Sequence, residues 1–362
     1  MAKRTVLLVV LWSALFTWQV HAQVYFNSSL NTQYLSNTWL DRSTEWDLVL
    51  HPALGLELNF LDIWAIGYSG HLEAYVQHTE LFFHEHELYV AVNPTFGDED
   101  QHEIILMGYV RTGKNTDTFE NVNAVYPGGM LTIGLEPLDW FYVEMFGSTE
   151  YRWFYNNISN SSLDTWGRIT TTVSLPSRTS LSPRFSLGYR YYPTLIDGTE
   201  EQWDLQLKPG IRIAQGVGET SGLWVDYEYL HTVNDNNLAI GEMQAAEMNF
   251  VGTDFLFSGH GVTLGGKRIW NAHVETSLDV HWQKRWYSGL DVFDDTGAST
   301  GIARDDDRIG VNASLAFEAE LNNDAQSLFT FSAAYGYLRQ LSNDSWFDTD
   351  LHAVSLEAAF DW

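Results

Sequence analysis

Residues 45–60 read Glu-Trp-Asp-Leu-Val-Leu-His-Pro-Ala-Leu-Gly-Leu-Glu-Leu-Asn-Phe, and one face of this stretch is apolar throughout. Every even position from Trp46 to Phe60 is apolar, whereas the odd positions include Asp47, His51 and Glu57. A period of two is that of a β-strand. Strands of soluble sandwiches usually run for about five or six residues, so an alternation of this length is unusual there. The stretch predicts a long strand with one apolar and one polar face.

The same alternation returns along the chain, in 203–213, 273–283 and 309–321 among other places, and no helical period of about 3.6 stands out. It predicts sixteen strands, at 24–35, 45–60, 62–78, 84–94, 102–112, 128–136, 139–154, 165–176, 184–193, 202–213, 222–232, 246–257, 272–287, 307–321, 327–340 and 350–362. Short turns at 60–62, 136–139 and 321–326 alternate with long polar segments at 112–128, 155–164, 232–244 and 287–306. Ser258 to Asn271 is interpreted as an extended connection, which keeps the strand number even.

The N-terminus has the three parts of a secretory signal: Lys3 and Arg4, an apolar run from Val6 to Phe16, and Ala22 before the expected cut. The predicted organisation is a signal peptide at 1–22 and one structural unit at 23–362. The apolar run is too short to cross a bilayer of about 30 Å as a helix. With no Cys in the chain, disulfides, thiolate metal sites and Cys nucleophiles are excluded.

The composition combines strong acidity with many aromatic residues. Without Lys3 and Arg4 the chain has 17 basic and 47 acidic residues, a net charge of −30, so nucleic acid is not an expected partner. Aromatic residues nevertheless make up 15% of the chain, including 15 Trp. After the N-terminal segment no run of eighteen apolar residues follows, and this observation and the aromatic content both fit a β-barrel in which alternate residues face lipid and aromatic girdles lie at the two membrane interfaces.

The last residues alternate up to an aromatic terminus, with Val354, Leu356, Ala358, Phe360 and Trp362 on one face. They resemble the C-terminal assembly signal of Gram-negative outer-membrane β-barrels. This resemblance of architecture covers the whole mature chain. It implies a transmembrane, antiparallel up-and-down β-barrel of the porin type, with about sixteen strands in a range of about fourteen to eighteen. The partners it implies are outer-membrane lipid and lipopolysaccharide, periplasmic chaperones and the barrel-assembly machinery.

If apolar positions face lipid, the intervening residues line the interior. The predicted interior acids are Asp47, Glu57, Glu73, Glu144, Asp204, Asp226, Glu228, Glu275, Asp279, Glu318 and Glu320. The predicted interior bases are Arg168, Arg184, Arg190, Lys208 and Arg212 on three neighbouring strands, which would form one basic arc. Two interpretations stay open: the bases set up a transverse field across a pore, or they pair with nearby carboxylates and keep the wall rigid. A wall lined mainly by carboxylates favours cations.

Other candidate sites have weaker patterns. His84 and His86 point to one face of a strand and suit zinc or copper, but no third ligand follows from spacing, and we expect no metal or other cofactor. The acid-rich segment Asp291 to Asp307 is expected to be a solvated loop, with calcium or lipopolysaccharide bridging as the alternative. No Gly-x-Ser-x-Gly or His-x-Ser-Asn-Gly motif occurs, and His231 near Asp235 is the nearest rim pair, so no enzymatic activity is expected.

The segment Leu30 to Asn37, followed by Asp47 and Pro52-Ala53-Leu54, resembles the first hairpin of barrels associated with exopolysaccharide operons, with Ser36 where that family usually has Asp. The leading functional hypothesis is an outer-membrane channel for small hydrophilic solutes with a cation preference. Polysaccharide export is the first alternative, and a closed barrel with a structural or adhesive role is the second.

Overall fold

The computed structural model describes residues 23–38, 45–60, 63–97, 101–158, 161–193, 203–233, 257–294, 297–320 and 327–362. One sheet contains the strands β1 (Gln23–Leu35), β2 (Asp47–Phe60), β3 (Trp64–Tyr75), β4 (Phe83–Val92), β5 (Thr95–Phe96), β6 (His102–Asn115), β7 (Ala124–Leu138), β8 (Phe141–Phe154), β9 (Ser162–Ser174), β10 (Thr179–Tyr191), β11 (Trp203–Val217), β12 (Ser221–Thr232), β13 (Ser258–Asn271), β14 (Val274–Phe293), β15 (Ser299–Glu320), β16 (Leu328–Ser342) and β17 (Thr349–Asp361). Short 3-10 helices lie at Thr79–Leu81 and Asp117–Val122.

The sheet closes on itself. Apart from the two-residue β5, each strand pairs antiparallel with the next long strand, and β1 pairs with β17 from Asn27–Asp361 to Leu35–Ala353. Sixteen long strands therefore form a closed wall, and no long strand presents an open edge. The predicted antiparallel up-and-down barrel of about sixteen strands is confirmed.

The two ends of the barrel differ. Only residues 139–140 join β7 to β8 and only 272–273 join β13 to β14, whereas the connections from β6 to β7 and from β10 to β11 at the opposite end are longer. We call these the turn end and the loop end. The first residue of β1 and the last of β17 both lie at the turn end, since Gln23 pairs with Asn59 and Asp361 pairs with Leu328. The predicted alternation of short and long connections follows this polarity.

The prediction that 258–271 is a connection was wrong, because it forms β13. Its inward positions carry glycine at 259, 261 and 265, which conceals the period of two in the sequence. The outward positions His260, Val262 and Leu264 continue the wall between β12 and β14. The predicted strand 246–257 lies outside the described residues except for Phe257. The expected number of about sixteen strands was therefore correct for the described residues, and β13 is one of them.

The long polar segment predicted at 287–306 was also wrong, because β14 and β15 run on through it as a hairpin of 20 and 22 residues. In the described residues, β13 is hydrogen-bonded to β14 only up to Trp286. Likewise, β16 is hydrogen-bonded to β15 only from Asp306 onward. Residues 287–305 therefore extend beyond the neighbouring strands. Here β14 and β15 pair through Asp291–Ala303 and Phe293–Ser299, with irregular register.

Buried apolar side chains are few and lie at the loop end. Leu230, Phe257, Tyr287 and Leu290 form one buried cluster at the base of the extended hairpin. Ala124 and Phe154 form another, against Phe119 and Tyr126. Large apolar residues along the strands are instead exposed on the outer wall, such as Leu88 at 63% and Leu264 at 53%. The described part holds no helix both long enough and apolar enough to span a membrane.

Candidate functional site: the inner wall

Strand pairing decides which residues line the interior. In β2 the side chains of Leu54, Leu56 and Leu58 are exposed on the outer wall, so Glu57 and its alternate neighbours face inward. Directly paired residues share a face, which carries this assignment from strand to strand around the ring. All sixteen predicted interior acids and bases lie on the inward face: Asp47, Glu57, Glu73, Glu144, Asp204, Asp226, Glu228, Glu275, Asp279, Glu318, Glu320, Arg168, Arg184, Arg190, Lys208 and Arg212.

Arg190 is part of a buried ion pair. Its guanidinium donates two hydrogen bonds of 2.8 Å to the two carboxylate oxygens of Asp164 on β9. The side chains of Arg190 and Asp164 are only 5% and 3% exposed. Arg152 on β8 adds a second cation, with its Nε 3.0 Å from Asp164 Oδ2. Arg190 therefore belongs to the structure of the wall and presents little charge to the lumen.

This pair extends into a row of alternating charges across several strands. Arg152 also lies 3.4 Å from Glu150, and Arg111 on β6 contacts Glu150 at 2.6 Å and Glu85 on β4 at 3.6 Å. Tyr109 donates a further hydrogen bond of 3.0 Å to Glu150. We call this row the charge ladder, and its members are Glu85, Arg111, Glu150, Arg152, Asp164 and Arg190.

The predicted basic arc omitted Arg111 and Arg152. Both inward positions could have been predicted from parity. Arg111 is separated by an even number of residues from the inward Tyr109 and Met107, and Arg152 from the inward Glu150. The signal was therefore present in the sequence.

A second inner cluster lies on β10, β11 and β12. Arg184 donates hydrogen bonds of 2.7 and 2.5 Å to the two oxygens of Asp226, and its Nη2 is 3.3 Å from Glu228. Lys208 Nζ lies 3.4 Å from Glu228. Arg168 on β9 pairs separately with Glu144 at 2.7 Å. These pairs match the interpretation in which the bases are neutralised by neighbouring carboxylates.

Arg212 differs from the other members of the arc. Its guanidinium lies over the ring of Trp224, 5.0 Å from the ring centroid, and no carboxylate of the described residues lies within ion-pair distance. The two side chains share a cavity of about 360 Å³ with Arg184, Asp226 and His281. Arg212 is therefore the arc member whose charge is least compensated.

Several inner carboxylates have no cationic partner. Glu57 accepts a hydrogen bond from Tyr89, and Asp279 accepts one of 3.0 Å from the amide of Asn312. For Glu57, Asp279, Glu318 and Glu320, no basic side chain of the described residues lies within ion-pair distance. These four lie on β2, β14 and β15, away from the arc. The inner wall thus has a compensated side and an acidic side.

Another inward group of bases was missed by sequence reasoning. Arg304 donates hydrogen bonds of 3.0 and 2.7 Å to Asp306 and stacks on Phe347 at 3.5 Å. Arg285 lies over Phe257 at 4.2 Å, and Arg308 donates to Gln340. Both are on the inward face near the loop end. The assumption that 287–306 is a loop removed Arg304 from the expected wall, whereas Arg285 and Arg308 lie in the predicted strands 272–287 and 307–321 and could have been assigned from the inward parity of those strands.

Several inward rings lie close against a glycine of the next strand. A Cβ atom on Gly67 would overlap the Tyr89 ring on the next strand, and one on Gly265 would overlap the Trp224 ring. Tyr109 covers Gly128, and Trp166 covers Gly188, in the same way. Because the neighbouring residue has no side chain, each ring can lie against the wall, where it takes up less of the lumen. Glycine is required here for close approach.

Asp47 is buried at the loop end, where it holds the loop after β3. Its carboxylate accepts hydrogen bonds from the backbone N–H groups of Val76, Gln77 and His78 at 2.9–3.0 Å. The His78 ring lies between Asp47 and Glu45, with 2.8 Å to each carboxylate. Desolvation opposes the charged imidazole, but hydrogen bonds to Glu45 and Asp47 outweigh it and raise the pKa of His78. Asp47 is therefore a loop anchor more than a lumen group.

His84 and His86 lie on the outward face of β4, because Glu85 and Glu87 between them face inward. Their rings are in mutual contact, with 3.1 Å between His84 Nδ1 and His86 Nε2. That hydrogen bond occupies a lone pair that a metal ion would need. The described residues contain no group of three or more side chains that could hold a metal ion.

The remaining candidates are placed as follows. Asp305 and Asp307 in the extended hairpin face outward and hold Lys284 between them, at 3.0 and 2.9 Å. They are thus strand residues with a cationic partner, not part of a solvated loop. His231 lies on the outer wall and stacks on Tyr229 at 6.3 Å, while Asp235 lies outside the described residues. Val354, Leu356, Ala358 and Phe360 alternate outward on β17, and Trp362 follows it.

The barrel is similar over nearly its whole length to solved outer-membrane channels. OccAB1 of Acinetobacter baumannii is 9% identical, with 93% of this chain and 96% of that one covered and a TM-score of 0.51. The shared fold is a closed antiparallel β-barrel. OprD of Pseudomonas aeruginosa is 9% identical, covers 94% of both chains and has a TM-score of 0.50. A bacterial polysaccharide outer membrane secretin is 8% identical, with 95% and 99% covered and a TM-score of 0.54.

At these identities the similarity concerns the fold. No protein-family model matches the chain, and no curated protein matches it.

Proposed function

We propose that this protein is a channel of the Gram-negative outer membrane through which small hydrophilic solutes diffuse. The observation that carries the proposal is the closed wall of sixteen long strands whose inward face is polar and charged while its outward face is apolar. Barrels of this size leave an aqueous interior instead of one filled by side chains. Passage through such a wall needs no catalysis, and we propose none.

We further propose that the channel prefers cations. The bases of the charge ladder and of the β10–β12 cluster are matched by adjacent carboxylates. The carboxylates of Glu57, Asp279, Glu318 and Glu320 have no such match in the described part. Arg212, Arg285 and Arg308 are the inward bases of the described part that have no carboxylate within ion-pair distance, and they are fewer than these acids. The net uncompensated charge of the lumen is therefore negative, and charged linings of one sign set ion selectivity.

Reconstitution in planar bilayers tests both statements. We expect ohmic current steps and a reversal potential that favours potassium over chloride in a salt gradient. The triple variant D279N/E318Q/E320Q should move the reversal potential towards zero, because it removes three inner charges. D350N is the matched control, since Asp350 faces outward opposite Arg339. A membrane without current steps would contradict the channel, and an unchanged reversal potential in the triple variant would contradict the cation preference.

Passage of a polysaccharide is a second candidate, favoured by the inward rings that lie close against glycine. Tyr89, Tyr109, Trp166 and Trp224 place four such rings on the inner wall. Sugar C–H groups pack well on aromatic faces. Neutral oligosaccharides added to the bilayer chamber should then interrupt the current, and W224A should shorten the interruptions. If the bilayers are silent instead, the third candidate, a closed structural or adhesive barrel, gains support.

We also propose that the protein is exported with a cleaved signal peptide and inserted by the barrel-assembly machinery. The pattern of residues 1–22 supports cleavage after Ala22, although these residues lie outside the described part. The alternation that ends at Phe360 and Trp362 supports recognition by the barrel-assembly machinery, after transit with periplasmic chaperones. Replacing Phe360 with Ser should reduce the amount of protein in the outer-membrane fraction, with the inward T330A as a matched control.

A further inference from the structure

The outer wall carries a hydrogen-bonded chain of three side chains on β3 and β4. Tyr68 Oη lies 2.7 Å from His86 Nδ1, and His86 Nε2 lies 3.1 Å from His84 Nδ1. We assign Tyr68 as the donor to His86 Nδ1, so that His86 donates from Nε2 to His84 Nδ1. With this assignment the chain ends in the Nε2–H group of His84, which is left as a donor.

A cation stands beside this terminal donor. Lys114 on β6 is the direct cross-strand partner of His84, so the two side chains leave the wall side by side. Lys114 is exposed, and among the described residues no carboxylate lies within ion-pair distance of it. The outward residue Thr112 is the partner of His86 and adds a hydroxyl group to the same patch. The patch therefore offers an ammonium, an N–H donor and a hydroxyl.

The position of the patch along the barrel axis is indicated by Tyr–His pairs that recur around the outer wall. Tyr227 contacts His260 Nδ1 at 2.7 Å on β12 and β13, and Tyr335 contacts His352 Nδ1 at 2.8 Å on β16 and β17. Each pair has its tyrosine on a strand that runs towards the loop end and its histidine at the third or fourth residue of the strand that returns from it. The apolar residues Leu88, Leu264 and Val354 are exposed two to four residues further along the returning strands. Amphipathic rings above an apolar band mark the boundary between hydrocarbon and headgroups.

We propose that His84 and Lys114, positioned by His86 and Tyr68, bind the phosphate group of an anionic lipid at the loop end of the barrel. The proposal rests on the proposed location in the outer membrane. An anionic phosphate accepts hydrogen bonds and is complementary to a wall position that offers a cation and donors. The apolar wall immediately below receives the acyl chains. The other two Tyr–His pairs lack a free cation, because Lys284 is held by Asp305 and Asp307 and Arg339 is paired with Asp348.

The test is lipid selectivity of the full mature protein in phosphatidylcholine vesicles, measured by electron paramagnetic resonance. Spin-labelled phosphatidic acid and spin-labelled phosphatidylcholine are the probes, and the motionally restricted fraction of each reports contact with the barrel. We expect phosphatidic acid to be preferred, and K114A and H84L each to weaken the preference by about threefold, the scale of one partly exposed ionic contact. K114R should retain it. K284A removes the same charge at the same height and should leave the preference unchanged.

Two results would overturn the proposal: equal restriction of both lipids by the wild-type protein, or an equal loss in K284A and K114A. The measurement does not depend on an open pore, because lipid contact concerns the outer wall alone. Silent bilayers with intact lipid selectivity would contradict the proposed channel and leave the lipid site standing. Current steps in bilayers together with equal restriction of both lipids would contradict the lipid site and leave the proposed channel standing.

Discussion

Phe26 and Trp362 exchange two backbone hydrogen bonds, of 2.7 and 2.8 Å, which join the first strand to the last residue of the chain. This pair continues the ladder between β1 and β17 to the turn end of the barrel. Deleting Trp362 removes both bonds. At about 0.5–1.5 kcal/mol for each, the free energy of unfolding should fall by about 1–3 kcal/mol. Urea unfolding in vesicles measures this loss, and D361N, which keeps the backbone bonds, should show little change.

The Arg190–Asp164 pair should contribute to stability and little to permeation. Replacing Arg190 with Met leaves a buried carboxylate with only Arg152 beside it, and breaking buried pairs of this kind costs about 3–5 kcal/mol. R190M should therefore lower the free energy of unfolding strongly without shifting the reversal potential of channels that do insert. A shift as large as that of R212A would show that Arg190 is accessible to permeating ions.

Arg212 should contribute to ion selectivity and little to stability. Its charge is not neutralised by a carboxylate of the described part, and it lies over Trp224 at the side of a cavity. R212A should increase the preference for cations in a salt gradient, because an inner positive charge is lost, while the unfolding free energy changes by less than about 1 kcal/mol. K208A serves as the comparison, since Lys208 is paired with Glu228. Equal effects of the two variants on selectivity would count against this assignment.

The contact between Gly265 and Trp224 should be sensitive to a single methyl group. G265A places a Cβ where the ring now lies, so the ring must move off the wall. We expect a loss of about 1–3 kcal/mol in unfolding free energy, typical of overpacking, and a smaller single-channel conductance. G108A is the control, because a Cβ on Gly108 meets no atom within 4 Å. Unchanged conductance in G265A would mean that Trp224 does not limit the lumen.

The ion pairs of His78 should make stability depend on pH. Hydrogen bonds to Glu45 and Asp47 raise the pKa of His78 in the folded protein despite its desolvation. A raised pKa means that the stabilisation is fully present below the unfolded-state pKa of about 6.5 and is lost as the pH rises through the folded-state value. The wild-type protein should therefore lose more stability than H78Q between about pH 6 and pH 9. Unfolding midpoints across this range measure the difference, with H273Q expected to follow the wild type.

The residues that line the inner wall could be predicted from the sequence, because whether a strand residue faces inward or outward depends only on whether its position in the strand is odd or even. Once Leu54 and Leu56 are outward, Glu57 must be inward, and the same rule placed Arg168, Arg184 and Lys208 on the lumen side. The odd or even position of a residue does not predict its ion-pair partner, because that partner depends on the register in which neighbouring strands are aligned. The pairing of Arg190 with Asp164, across 26 residues, could not be predicted for that reason.

The two errors in the predicted elements have one physical origin. Apolar alternation was used as the signal, and it fails where an inward position is glycine, as in β13, or where outward positions are charged, as at Asp305 and Asp307. At Gly265 the missing side chain is replaced by the ring of Trp224 from the next strand, so the packing is complete although the pattern is not. His84 and His86 were placed correctly on a shared face, and that face proved to be the outer wall.

The charge ladder has a consequence for how the barrel is put together. Sliding β9 by two residues along β8 would preserve the hydrogen-bonding pattern of the backbone and keep each side chain on its own face. A slip that moves Asp164 towards Ser148 and Gly188 would, however, separate it from Arg152 and from Arg190 and leave both cations without this carboxylate. The ion pairs thus favour the observed alignment of these strands over one that backbone pairing alone would also permit.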